Sequence, residues 1–469
     1  MSDRHRRTLR RSLTLVAIAA ISSQISCDAR LEPNSPSELT EVHSEVQQTE
    51  STAEVFSDDR PDLSVPRPDF VEPAMSVDVT ASRELAEQAL ADGRIEEAYD
   101  HARAAYRHGG DDPLVMFVMA RVLGERHRFE EAIAILDSVA LRDPQARLPT
   151  LGQTAQWMVL KGDWNQAEKR YKAILDEVPG IAMVHEEIAQ LYLRQGRRHD
   201  AASHIRQLCQ SGTVKEHWML ELLSISDAPF PMNGSEEDEP IGVLGTAQDL
   251  VANDSRKEAI KTLINSSGEP SDLEKSLLGR LLALEEDQEA LTQWSEEMVL
   301  TNESNADAWF ATASLHQMRG EHAKAVTCFC EAILRDATDD VGYQRLSQSL
   351  QELAMDVEAK RVSERAKLIH RTKMIGDQIR QSADGKYKPV VELVGLLEQL
   401  HRRDESLAWN SIAVANSGRP KNEVQQAILE INEQRLRHLE SESFEIDPSF
   451  VICGLDLNDF PNVADWLMS

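Results

Sequence analysis

Aromatic and basic residues are scarce in this chain of 469 residues. Aromatic side chains make up 5% of it, which suits helices packed through alanine and leucine better than a β-sandwich. The chain has 50 lysine and arginine residues against 80 aspartate and glutamate residues, a formal net charge of −30. Because this acidic excess repels phosphate groups, we expect no binding to nucleic acid or to anionic lipid surfaces.

The chain also lacks long apolar runs and the short motifs that mark common enzymes. No apolar run reaches the roughly 18 residues that a membrane-spanning helix needs. The sequence has no G-x-S-x-G, no HExxH, no phosphate-binding loop and no dinucleotide-binding glycine pattern. These absences lead us to expect a protein that is not an enzyme and has no cofactor.

One stretch contains residue types that could bind a metal. Residues 316–330, "HQMRGEHAKAVTCFC", include His316, His322, Cys328 and Cys330. Cysteines two positions apart on a helix are separated by about 200° of rotation, so their thiols point in different directions. The two interpretations are a metal site and ordinary packing within a helix pair, and the spacing favours packing without a metal. For the same reason Cys328 and Cys330 cannot readily form a disulfide with each other, and spacing alone leaves any other disulfide pairing open.

The first 27 residues have the character of an export signal. A head that contains five arginines precedes an apolar run from Leu13 to Ile25, the pattern of a secretory signal peptide. The run ends in "QISC", which resembles the lipobox of bacterial lipoproteins and implies a lipid anchor on Cys27. The alternatives are ordinary cleavage near Ala29 and an uncleaved anchor. We therefore expect an exported protein of the periplasm or cell envelope, attached to the membrane only through this segment.

Two stretches interrupt the rest of the chain. Residues 28–78 contain six prolines and many acidic residues but few large apolar ones, which predicts a disordered tether. Residues 226–240, "SDAPFPMNGSEEDEP", combine proline, glycine and adjacent acidic residues, which predicts an acidic loop.

Between these breaks, alanines recur with a period near 34 residues. Small residues stand twelve positions before most of them, with Leu278 as the exception. Two small residues at this spacing allow two helices joined by a turn to approach closely. The recurring alanines are Ala98, Ala132, Ala167, Ala201, Ala259, Ala290, Ala325 and Ala359, and the small residues are Ala86, Ala120, Ala155, Ala189, Ala247, Ala313 and Ser347.

The period and its landmarks resemble the tetratricopeptide repeat family. Trp309 and Tyr343 take the aromatic place that opens the first helix of a repeat, and Tyr192 and Leu346 take later places. The resemblance implies an all-α fold, a right-handed superhelical solenoid of antiparallel helix pairs. It predicts repeat blocks at residues 79–225 and 241–372. A helical hairpin or cap is predicted at 385–440, followed by a tail at 441–469.

The first helices of such repeats line an inner groove, which the resemblance implies as the place where another protein binds. The residues after the small landmarks and their neighbours should face it, and a peptide or a helix should bind there. The alternative is solvated polar surface. In the chaperone-binding subfamily, a lysine and an asparagine hold a carboxylate where this chain has Arg83 and Glu87. Glu87 would repel that carboxylate, so we do not expect a chaperone cofactor. The groove candidates are Arg83, Glu87, Arg121, Gln156, Gln190, Arg194, Gln248 and Gln348.

These observations lead to the hypothesis of an exported, non-enzymatic scaffold that binds other proteins. The alternative is an accessory subunit that positions a catalytic or transport partner in an envelope complex. The tail from residue 444, "FEIDPSFVICGLDLNDFPNVADWLMS", resembles the connector between repeat arrays and β-propeller modules in some exported bacterial proteins. Its "SFVICGLDL" part is predicted as a strand. The other interpretation of the tail is a segment folded back against the last helix.

Overall fold

The computed structural model describes residues 78–231, 238–381, 387–440 and 447–462, which form helices and turns without any strand. The predicted signal segment with Cys27, nearly all of the tether and the last residues of the tail lie outside this part of the chain. No helix in it is long and apolar enough to span a bilayer. The chain divides into two compact units, with the boundary between Asp163 and Trp164.

The first unit consists of short helices that pack in consecutive pairs. Aspartates begin the first helix of two pairs: Asp78 accepts hydrogen bonds from Thr80 N and Ala81 N, and Asp112 accepts one from Leu114 N. These bonds satisfy amide groups that have no partner inside a helix. The helices of this unit are α1 (Val79–Ala91), α2 (Ile95–Gly109), α3 (Pro113–Glu125), α4 (Phe129–Arg142) and α5 (Arg147–Lys161), with a 3₁₀ turn at Pro144–Ala146.

The second unit continues the same arrangement of consecutively packed helices, so the predicted all-helical fold is confirmed. Its helices are α6 (Trp164–Glu177), α7 (Ala182–Arg194), α8 (Arg198–Ser211), α9 (Glu216–Glu221), α10 (Gly242–Ala252), α11 (Arg256–Ile264), α12 (Asp272–Leu284), α13 (Gln288–Glu297), α14 (Ala306–Met318), α15 (His322–Arg335), α16 (Asp340–Glu352), α17 (Asp356–Gln381), α18 (Tyr387–Gln399), α19 (Arg403–Ala415), α20 (Lys421–Leu439) and α21 (Pro448–Val451), with a 3₁₀ turn at Leu457–Asp459.

Small residues lie where the two helices of a pair cross. The Ser347 hydroxyl on α16 donates a hydrogen bond of 2.8 Å to the Ala359 carbonyl on α17, so the two backbones are in near contact. Ala189 on α7 and Ala201 on α8 are both fully buried at the equivalent places. A larger side chain at such a crossing would force the helix axes apart.

The turns between paired helices use one residue in the left-handed region, five positions before the crossing residue of the second helix. Glycine adopts this conformation without a steric cost, whereas other residues pay about 1 kcal/mol or more. The residues with positive φ at this position are Gly93, His127, Gly162, Gly196, Asp254, Glu286, Gly320, Ala354 and His401.

The repeat frame predicted around Leu278 and Ala290 is wrong by one residue. Leu278 and Ala290 are only partly buried, whereas Gly279 and Leu291 are buried. The left-handed Glu286 lies five positions before Leu291, as in the other pairs. Trp294 covers Gly279 so closely that a Cβ there would lie 2.4 Å from the indole. The crossing residues of this pair are therefore Gly279 and Leu291.

The segment predicted as a strand in the tail forms helix α21 and a 3₁₀ turn instead. The tail folds back onto the second unit, but it contacts earlier helices than the last one. Tyr343 Oη donates to the Val451 carbonyl at 2.8 Å, and Thr327 Oγ1 donates to the Pro461 carbonyl at 3.0 Å. The β propensity of this segment does not determine its structure, because burial of Val451 and Phe460 in the core has the larger effect on the conformation.

Candidate protein-binding surface

In the first unit, the structure brings together three of the predicted groove residues. Arg83 and Glu87 lie one turn apart on α1, with Arg83 Nε 3.9 Å from Glu87 Oε1. Arg121 lies on α3, which packs beside α1, and its charge interacts with those of Glu87 and Glu125. These two arginines and two glutamates form what we name the α1–α3 surface: Arg83, Glu87, Arg121 and Glu125.

The two arginines of the α1–α3 surface have different surroundings. Burial lowers the pKa of the Arg121 guanidinium, and the carboxylates of Glu125 and Glu87 partly offset this effect. Arg83 Nε is buried, and no acceptor among the described residues lies within hydrogen-bond distance of it. The exposed part of such a weakly hydrated guanidinium is suited to a carboxylate or a peptide carbonyl.

Gln156 lies on α5 in the same unit and is partly exposed. Its Oε1 is 3.5 Å from Nε2 of the buried Gln153, the upper limit of a hydrogen bond. A side-chain amide can both donate to and accept from a peptide backbone. Gln156 therefore places a neutral side-chain amide on the first helix of this pair.

The structure distributes the candidates of the second unit over different environments. Gln190 and Arg194 are partly buried on α7, Gln248 is buried on α10, and Gln348 is exposed on α16. Arg194 already has a structural task, because its Nε donates to the Glu239 carbonyl at 2.9 Å and its own carbonyl accepts from Ile241 N at 2.7 Å. These contacts hold the chain just before α10.

One residue that the sequence reasoning missed is Arg280. It follows the corrected crossing residue Gly279, so it occupies the position at which groove residues were predicted. The residue is fully buried, and its guanidinium makes two hydrogen bonds to Asp339, of 2.8 and 2.9 Å. Its Nη1 lies 3.5 Å from the carboxylate of Asp307. The twelve-residue spacing from Gly279 to Leu291 is the sequence feature that could have identified the crossing residues and so the position of Arg280.

Arg280 belongs to a buried charge cluster that holds the segment 222–231. Burial lowers the pKa of Arg280, but the Asp339 and Asp307 carboxylates outweigh it and raise the pKa above its usual value. Lys373 on α17 bonds to both Asp227 and Asp340. Breaking one partner out of such a cluster leaves an uncompensated buried charge.

Backbone groups of the segment 222–231 are satisfied by side chains from several helices. Ser226 N donates to Asp336 Oδ2 at 2.9 Å, and Ile225 N donates to Thr338 Oγ1 at 3.1 Å. Arg198 donates to the carbonyls of Ser224 and Ile225 at 2.7 and 2.8 Å. The first part of the predicted acidic loop is thus bound inside the second unit.

The stretch with two histidines and two cysteines has mostly structural contacts. His316 Nδ1 and Glu321 Oε2 are 2.7 Å apart, and both Cys328 and Cys330 are fully buried in a hydrophobic core. Burial raises the pKa of both thiols, which disfavours the thiolate that a metal needs. The described part of the chain contains no group of three or more such residues that could hold a metal ion.

The fold is that of a helical-repeat protein, and comparison with family models identifies the type of repeat. Two family models, each described as tetratricopeptide repeat, match residues 89–151 and 161–213. The chain is therefore a tetratricopeptide-repeat protein. Such proteins bind other proteins and are generally not catalytic. No curated protein matches the chain.

Three solved structures illustrate what the chain is similar to at low identity. A tetratricopeptide repeat protein from Parabacteroides merdae has 14% identity and a TM-score of 0.25, with 58% of this chain and 98% of that chain covered. The APC/C hetero-tetramer Cut9-Hcn1 has 12% identity, a TM-score of 0.25 and coverages of 81% and 96%. The human IFIT1 dimer with m7Gppp-AAAA has 15% identity, a TM-score of 0.19 and coverages of 78% and 92%.

Proposed function

We propose that this protein is an exported scaffold that binds a partner protein through the first helices of its first unit. The α1–α3 surface is the observation that carries the proposal. It combines two partly exposed arginines, Arg83 and Arg121, and guanidinium groups bind carboxylates and carbonyls strongly once water is removed. Gln156 adds amide hydrogen bonding on the neighbouring first helix.

The expected partner presents an extended or helical segment rich in exposed carbonyls, with isolated carboxylates. A uniformly acidic partner is disfavoured at the α1–α3 surface, because the exposed Glu87 and Glu125 add short-range repulsion there to the long-range repulsion from a chain with a formal charge of −30. Isolated carboxylates can still bind Arg121 at short range. The exposed Glu87 and Glu125 beside it would reject a second adjacent carboxylate.

Capture of partners from the native envelope, followed by mass spectrometry, tests the proposal. Replacing Arg121 and Gln156 together by alanine should weaken capture without changing thermal unfolding, since both side chains are partly exposed. Deleting residues 30–75 should leave capture unchanged. The reverse result, with the alanine variant binding normally and the deletion losing the partner, would assign recognition to the acidic tether.

Export is part of the same proposal and rests on the N-terminal sequence. The basic head, the apolar run and "QISC" support a lipid anchor on Cys27. Intact-mass measurement of the protein extracted from membranes should show a diacylglyceryl-modified N-terminus at this residue. An unmodified N-terminus after Cys27 would reject lipidation and leave export in place.

The accessory-subunit role is a narrower version of this function. In that case the captured partner would be an enzyme or a transporter, and its activity would change when the alanine variant replaces the native chain. A captured complex without enzymatic or transport activity would favour the scaffold role.

A further inference from the structure

A groove runs along the surface of helix α17 in the second unit. We name it the α17 groove, and it has a volume of about 430 Å³. Most of its lining residues recur at intervals of three or four, so they form one stripe along the helix. The stripe is about 16 Å long at 1.5 Å per residue, or three helical turns. The lining residues are Gln344, Ser363, Ala366, Lys367, His370, Arg371 and Met374.

The floor of the α17 groove is apolar and its rim is cationic. Ala366 is buried at the bottom, and Met374 is 44% exposed at one end. An exposed methionine adapts its shape to a docking side chain. Lys367 is exposed and has no ion pair among the described residues, whereas Arg371 pairs with Glu392 at 2.7 Å. Because that pair is about half exposed on both sides, it is weak and can exchange for another carboxylate.

The charge of α17 is opposite to that of the whole chain. The helix contains seven lysine and arginine residues and four acidic residues, whereas the whole chain has 50 basic and 80 acidic residues. Lys367 and Arg371 place part of this positive charge beside the apolar floor. A basic rim around an apolar groove complements an acidic amphipathic segment.

We propose that the α17 groove binds an acidic amphipathic helix of a partner protein. The helix lies along the stripe, with apolar side chains at 3–4 spacing on Ala366 and Met374 and with glutamate or aspartate beside Lys367 and Arg371. Three turns of the partner helix match the length of the stripe. This site lies on the second unit and would give the scaffold a second binding site in addition to the α1–α3 surface.

A synthetic peptide serves as the probe for this site. We would label a peptide of about 18 residues, long enough to form a helix on binding, with leucine at 3–4 spacing and glutamate and alanine elsewhere. Its binding to the intact chain is followed by fluorescence anisotropy. A scrambled peptide with the same composition but no apolar stripe should bind much more weakly, because it keeps the charge and loses the apolar face.

Matched variants of the intact chain locate the binding. Lys367→Glu should weaken binding of the striped peptide about tenfold, and Met374→Gln should weaken it severalfold. Lys169→Glu makes the same charge reversal at an exposed position of α6, a helix that does not line the groove, and should change binding less than twofold. Equal weakening by Lys367→Glu and Lys169→Glu, or equal affinity for both peptides, would overturn the proposal.

Two further measurements distinguish peptide binding at the α17 groove from a loss of folding and from binding at the α1–α3 surface. Circular dichroism should give the same unfolding transition for Lys367→Glu as for the native chain, since Lys367 has no ion pair to lose in the described structure. The variant with Arg121 and Gln156 replaced by alanine should bind the peptide normally. Loss of peptide binding in that variant would contradict the assignment to α17, whereas failure to capture a partner through the α1–α3 surface would leave it intact.

Discussion

Replacement of Gly279 by alanine tests the close helix crossing between α12 and α13. A Cβ at this position would lie 2.4 Å from Trp294 Cε2 and 2.5 Å from Cζ2. The indole has little freedom to move, because it is only 6% exposed and its Nε1 donates to the Lys275 carbonyl at 2.8 Å. The added methyl group must therefore displace the ring or separate the two helices.

Two opposing effects decide the sign of the change in stability. Helix propensity alone would make alanine more stable than glycine by about 1 kcal/mol. Overpacking in a filled core costs about 1–3 kcal/mol, and loss of the Trp294 hydrogen bond adds about 1 kcal/mol. We therefore expect Gly279→Ala to lower the free energy of unfolding by about 1–3 kcal/mol.

The control is the same change at Gly395 in α18. An added Cβ there meets nothing within 4 Å, so propensity should dominate and Gly395→Ala should stabilise the chain by up to about 1 kcal/mol. Urea unfolding followed by circular dichroism measures both variants. Stabilisation by Gly279→Ala comparable to that by Gly395→Ala would refute the close crossing. Combining Gly279→Ala with Trp294→Phe should recover part of the loss, because the smaller ring leaves room for the methyl group.

Three further predictions concern stability. Ala189→Leu at the α7–α8 crossing should lower the free energy of unfolding by about 1–3 kcal/mol. Gln348→Ala on an exposed face should change it by less than about 0.5 kcal/mol, and equal effects of the two variants would contradict the repeat register. Arg280→Met should destabilise the chain by about 3–5 kcal/mol because it leaves buried carboxylates uncompensated. The control, Arg256→Met, removes a more exposed ion pair with side-chain exposures of 43% and 27% and should cost at most about 1 kcal/mol. Similar losses of unfolding free energy for both variants in urea would show that Arg280 is solvated. Burial lowers the pKa of His204 to about 4, below its unfolded value of about 6.5. The free energy of unfolding should therefore have its full value above pH 6.5 and fall by about 1–2 kcal/mol between pH 6.5 and 4, after allowance for solvent screening. His204→Gln should remove that part of the pH dependence.

The sequence by itself determined the helical-repeat fold. The small residues at twelve-residue spacing act within one hairpin, as the bond from Ser347 to the Ala359 carbonyl shows. Each hairpin buries the same face, so the constraint repeats along the chain and becomes visible as a period. The left-handed turn residue depends only on local geometry, although His127 and Ala354 take it in place of glycine.

The α1–α3 surface was predictable in part. The repeat frame gives the groove positions and so predicts Arg83, Glu87 and Arg121. The frame failed at Gly279, where a leucine takes the usual place of alanine and packing against a tryptophan decides which residue crosses. Because the predicted frame is wrong by one residue there, it does not place Arg280 at a groove position.

Only the tertiary structure decided how the irregular segments are held. Asp227 bonds to Lys373 across 146 positions of sequence, and Ile225 N bonds to Thr338 across 113. The tail, predicted as a strand, is fixed by Tyr343 through the Val451 carbonyl. Such pairings occur once and leave no period in the sequence. They form because buried charges and backbone groups must find partners wherever the folded helices present them.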